Sequence, residues 1–93
     1  MNTVVYGFQL SPGSDEEFVF ADQFDACCAA ALEHRAEIKR DEPDLCKDMG
    51  ATAVYQFEFR ALTSADFIAV LNESDTLFRA CVIDQRLVSL VAD

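Results

Sequence analysis

Hydrophobic and polar positions alternate most regularly near the start and in the middle of the chain. From Thr3 to Leu10, Val4, Tyr6, Phe8 and Leu10 point one way and Thr3, Val5, Gly7 and Gln9 the other, the period of a half-buried strand. Pro12 and Gly13 in SPGSD then mark a turn, and EEFVF brings β-favouring residues, so a hairpin is expected from Thr3 to about Phe20. Ala51 to Leu62 shows the clearest period. Tyr55, Phe57, Phe59 and Ala61 lie on one face and Gln56, Glu58 and Arg60 on the other, which predicts a strand with one buried side.

Helical signals occupy the intervals. Asp22 suits a helix N-cap, with Asp25 three residues later in capping-box position and both carboxylates near the positive end of the helix dipole. An Ala-rich run follows, Lys39 and Arg40 suit the negative end, and Pro43 disfavours helical geometry at Glu42, so this helix is placed at about Asp22 to Arg40. The acidic connection DEPDLCKDMG has room for one more helical turn, with Gly50 suited to end it. Thr63 with Asp66 makes a second capping pair, and Phe67, Val70 and Leu71 recur at helical spacing before Asn72, which predicts a short second helix. The last twenty residues read two ways: Leu77, Phe78, Cys81 and Val82 fit a helical stripe, while ACVI and RLVSLV favour strands. Strand is assigned to Arg86 to Val91, and residues 74–85 stay open.

This order predicts an α+β fold, a small two-layer sandwich with a mainly antiparallel sheet of about four to five strands covered on one face by two helices. At 93 residues the chain is long enough for one core and too short for two, so a single domain spanning residues 1–93 is expected. Its 52% hydrophobic content, with eight Phe and two Tyr, is too apolar for a disordered chain. No apolar run approaches the roughly 20 residues that cross a bilayer, and MNTVVYGFQL lacks the basic segment of a signal peptide. A soluble cytoplasmic chain without membrane contact is the expectation, with Cys27, Cys28, Cys46 and Cys81 as free thiols in a reducing compartment.

Charge changes the picture more than any motif does. Seventeen acidic against seven basic side chains give a net charge of -10, and no basic residue precedes Arg35, whereas Asp15, Glu16, Glu17, Asp22, Asp25 and Glu33 do. Phosphate backbones are gripped by Lys and Arg, so direct nucleic-acid binding is disfavoured and a basic protein surface is favoured as partner. The plainer reading is that such charge keeps a small domain soluble.

The stretch FDACCAAALEHR holds two adjacent cysteines and the chain's one histidine. At 100° per residue from Phe24, Cys27 falls at about 300°, Cys28 at about 40°, Ala31 at about 340° and Ile38 at about 320°, one apolar stripe with His34 at its border near about 280°. His34 is some seven residues, or about 10.5 Å of helix rise, beyond Cys27, too far for both to grip one ion. Core packing is therefore the reading for the cysteine pair, and a rim position for His34. Cys46 is the thiol expected to be exposed, with Asp44 and Asp48 raising its pKa and making it a poor nucleophile.

Nothing here resembles a nucleophilic triad, a Walker loop or a dinucleotide fingerprint, and the isolated Gly7, Gly13 and Gly50 make no phosphate cradle. Asp41, Glu42, Asp44 and Asp48 lack the D-x-D-x-D-G core of a calcium loop. Tyr6 and Phe8, with Tyr55, Phe57 and Phe59, are candidate stacking platforms for bases, but VYQFEFR lacks the basic and glycine residues of an RNA-recognition sheet. These stripes are read instead as the face that packs on helices.

No catalytic residue, cofactor or metal site is expected. No family is recognised in these residues. The leading expectation is a non-enzymatic module that binds a basic protein surface through ordered carboxylates, as an inhibitor occupying a partner's nucleic-acid-binding face would. Small phage-encoded anti-defence proteins of the anti-CRISPR or DNA-mimic type are similar in size and acidity, without a shared motif. The residues expected to make the contact are Asp15, Glu16 and Glu17 in the hairpin and Asp41, Glu42, Asp44 and Asp48 after the first helix. The alternative is a housekeeping domain that forms a homodimer or binds a small ligand around the first helix and the aromatic sheet, signalled by an exposed apolar patch. A small carboxylate-based enzyme is the third, signalled by raised carboxyl pKa values in a polar cleft.

Overall fold

The computed structural model describes residues 1–46 and 49–92, with the side chains of Leu45 and Cys46 outside that description. β1 (Thr3–Gln9) and β2 (Phe18–Ala21) form the expected antiparallel hairpin, with Phe8 opposite Val19. Its loop is pinned by one side chain. Gln9 is buried, and its Oε1 accepts from the Gly13 N–H at 2.9 Å and the Ala53 N–H at 3.0 Å, while its Nε2 donates to Asp15 Oδ1 at 2.6 Å. Gly13 stands at φ 87°, a left-handed conformation that a side chain would oppose.

α1 (Phe24–Asp41) starts later than Asp22. Gln23 is the N-cap and makes no side-chain cap bond, so the expected Asp22–Asp25 capping arrangement is not formed. The cause lies in the hairpin: Ala21 still pairs with Tyr6, the chain needs Asp22 and Gln23 to turn off the sheet, and the Phe24 ring then meets Tyr6 edge-on at 5.8 Å. One further turn, α2 (Pro43–Cys46), follows as expected, but Gly50 falls beyond it and serves as an acceptor instead.

β3 (Thr52–Phe59) lies beside β1, and β4 (Val82–Val91) beside β3, giving the all-antiparallel order β2-β1-β3-β4. Between them, α3 (Ser64–Leu71) has the predicted cap in full: Thr63 Oγ1 accepts from the Asp66 N–H, and the Asp66 carboxylate accepts from the Thr63 N–H. The open question over residues 74–85 resolves as both answers in turn, a short helix α4 (Leu77–Cys81) running directly into β4. The fold is α+β, a small antiparallel sheet with helices.

α1 lies across one face of the sheet, where Cys27 and Ala31 pack on Phe8, Val54 and Val91. Register decides which side chains share that face. Tyr6 stands opposite Gln56 and Phe8 opposite Val54, so Tyr55, Phe57 and Phe59 point to the other face, together with Phe18, Phe20 and Val5. The two aromatic stripes therefore do not form one platform. The stripe on β3 packs on a helix, but that helix is α4: Phe78 meets Phe57 at 5.3 Å, Phe59 at 5.8 Å and Phe20 at 6.5 Å. Phe57, ringed by Phe18, Phe20, Tyr55, Phe59 and Phe78, is completely buried on this side.

Candidate functional site

α1 runs so that its C-terminal half arrives beside the hairpin loop. His34 Nε2 lies 2.7 Å from the Leu10 carbonyl, which can only accept, so this nitrogen carries the proton and donates. The ring also tilts against Phe8 at 5.7 Å and is half-buried, the rim position expected of it. Leu10, Ser11 and Pro12 on one side and His34, Glu37, Ile38, Asp41 and Glu42 on the other enclose an open groove of about 540 Å³.

The two acidic groups singled out in the sequence therefore sit at one end of the molecule, on different sides of it. Asp41 and Glu42 line the groove on the α1 side, and Asp44 follows in the first turn of α2. Asp15 faces the opposite side of the sheet, where Tyr55 Oη donates to it at 3.2 Å and Gln9 holds it as well. Burial, then the neighbouring Asp15 charge, raises the Tyr55 pKa. Glu16 and Glu17 are exposed, and Glu17 is fixed through its carbonyl, which accepts from the Leu10 N–H at 3.0 Å. Asp48 lies outside the described residues. Arg40 takes Asp41 into an exposed ion pair at 3.2 Å, leaving Glu37, Glu42 and Asp44 as further exposed carboxylates at this end.

Arg35 supports the groove from below, and the sequence reading passed over it. It is 4% exposed, and its Nη1 donates to the Gly50 carbonyl at 2.7 Å and Thr52 Oγ1 at 3.0 Å, tying α1 to the start of β3. The signal was available: counted from Phe24, position 35 falls at about 20°, in the middle of the apolar stripe, and Cys27, Ala31 and Arg35 repeat every four residues.

The cysteines are packed as expected. Cys27 and Cys81 are buried, and burial, with Cys28 adding to it, pushes the Cys27 thiol up to about 11. Burial and then the Asp25 charge raise Cys28 as well. Both shifts oppose the thiolate, the form that attacks and ligates. Cys46, expected to be the exposed thiol, lies outside the described side chains. Among the described residues no three His, Cys, Asp or Glu side chains gather where they could hold a metal ion. Among the described residues no helix is long and apolar enough to cross a membrane.

At the other end, Arg60 grips Asp66 with two nitrogens, at 2.5 and 2.9 Å, and also donates to the Ala80 carbonyl at 2.6 Å. That pair holds the Asp66 carboxyl well below the usual carboxylate range, the opposite of what a general acid needs. Beside it, Thr3, Val5, Phe20, Phe59, Leu62, Leu77 and Phe78 line an apolar groove of about 450 Å³. α3 continues this surface outward with Phe67, Ile68 and Leu71 exposed.

No protein-family model, curated protein or solved structure matches the chain.

Proposed function

We propose that the chain is a non-enzymatic protein-binding module that engages a basic surface of its partner through the acidic end. A partner whose basic surface normally binds nucleic acid is the target such an end fits, so the module would act as an inhibitor by occupying it. One observation supports this reading: Glu37, Asp41 and Glu42 stand along a groove whose opposite wall, Leu10 to Pro12, begins the hairpin loop that goes on to carry Asp15, Glu16 and Glu17, so that two acidic segments far apart in sequence lie at one end of the fold. Carboxylates grouped at one end of a fold concentrate negative potential there, which speeds encounter with an oppositely charged face and suppresses like-charged ones.

Asp15 is bound to Gln9 and Tyr55, so the test spares it. Glu16 and Glu17 are reversed to Lys in one variant and Asp41, Glu42 and Asp44 in another. Each should weaken retention of the partner captured from the native host while leaving the circular dichroism spectrum unchanged. Retention unaffected by both reversals would remove the reading.

A second reading, a domain that dimerises or takes a small apolar ligand, is favoured by the groove between Phe20, Phe59 and Phe78 and by the exposed residues of α3.

A further inference from the structure

β4 is the edge of the sheet, ten residues long, and among the described residues only β3 pairs with it. An edge of that length offers a row of backbone donors and acceptors to another strand. Short edges, lysines and prolines blunt such templates, and β4 has neither Lys nor Pro. Its sequence has a further property. Around Gln85 the segment Val82-Ile83-Asp84-Gln85-Arg86-Leu87-Val88 is self-complementary when read against itself in reverse: Val82 meets Val88, Ile83 meets Leu87, and Asp84 meets Arg86.

We infer that two copies of this chain pair antiparallel through their β4 edges about a two-fold axis at Gln85, joining two four-stranded sheets into one of eight. The inference specifies the dimer of the second reading and rests on it, not on the acidic end. In this register each Asp84 faces the Arg86 of the partner subunit, twice per dimer, and directly opposed charges of unlike sign favour a strand pair. The monomer leaves that charge poorly matched. Asp84 stands directly across from Glu58 on β3, a like-charge pair, and its contact with Arg86 is long, 3.4 Å, and exposed. Arg86 of the partner subunit would place a second cation beside each Asp84. Ile83 and Leu87 are each 53% exposed and would cover one another across the axis.

The β3–β4 register shifts twice, at Val54/Tyr55 and at Glu58/Phe59, leaving Asp84 to Leu87 as the regular stretch between. Ile83 and Val88 are the residues without a β3 partner at these irregularities, so the undistorted centre of the proposed contact is Asp84 to Leu87, which includes both Asp84–Arg86 pairs.

Sedimentation of the full chain over a concentration series tests the inference. The wild type should show a concentration-dependent dimer. Asp84→Arg and Arg86→Asp should each weaken it on the order of tenfold or more, because each places like charges opposite one another at two points. Asp84→Arg also stands opposite Glu58, so the fold should not suffer from that change. The double swap, Asp84→Arg with Arg86→Asp, restores unlike pairs across the axis and should restore the dimer. A dimer indifferent to both single reversals overturns the β4 arrangement while leaving dimerisation through the aromatic face standing, and a swap that stays dissociated overturns the pairing of Asp84 with Arg86. A monomer at every concentration overturns both.

Discussion

Two residues carry more of the architecture than their chemistry announces. Gly7 sits on β1 directly beneath the aromatic cluster, where an added Cβ would come within 2.9 Å of Phe57 and 3.0 Å of Phe20. Phe57 is completely buried and has nowhere to move, so Gly7→Ala should destabilise the chain by about 1 to 3 kcal/mol in a denaturant titration. An unchanged midpoint would mean that the cluster is loosely packed. Arg35 is the complementary case, a charge placed where the helix otherwise buries Cys27 and Ala31. Arg35→Met keeps the volume but leaves the Gly50 carbonyl and the Thr52 hydroxyl without this donor, and should cost roughly 1 to 3 kcal/mol. These are predictions about single contacts. They follow from burial and geometry, and the sequence alone offers only the angle of position 35 on the helix.

At the scale of elements, α3 is held by its cap and by the Arg60–Asp66 pair more than by burial, since none of its residues is buried. The folded chain holds the Asp66 pKa below its value in the unfolded chain. Its contribution is therefore complete above about pH 4 and is lost as pH falls from there toward the folded value. The stability difference between wild type and Asp66→Asn should be constant near neutrality and shrink in acid; a difference that persists at low pH contradicts this. The cap was legible because Thr63 and Asp66 act locally, three residues apart. The alternation of β1 and β3 was legible for the same reason. Which face α1 covers was not, because alternation separates two faces without saying which one a distant helix will meet. Only the register, with Tyr6 opposite Gln56, decides it. The turn into α1 was missed on similar grounds, since Ala21 remains in the sheet and displaces the cap from Asp22 to Gln23. Residues 77–91 carried helix and strand signals together because the chain passes from α4 to β4 without a loop.

At the scale of the molecule, the chain is elongated, 46 × 25 × 16 Å, and its ends differ in character. One end gathers the hairpin loop, the C-terminus of α1 and α2, with their exposed carboxylates. The other carries α3 and α4 and the apolar groove. A charge of -10 placed evenly over a surface would favour solubility alone, whereas fixed clusters at one end favour a particular opposite face. The two acidic segments were visible in the sequence, but their placement at one end, on different sides of it, depends on α1 running back toward the hairpin loop. Exposed charge contacts are screened by salt over about 10 Å at 0.1 M ionic strength. The most direct measurement is therefore capture of host proteins on the unmodified chain at low and at high ionic strength, with the bound proteins identified. A basic partner should be held at low salt and released at high salt; a partner retained equally at both, or one without a basic surface, would contradict the acidic end as the binding surface.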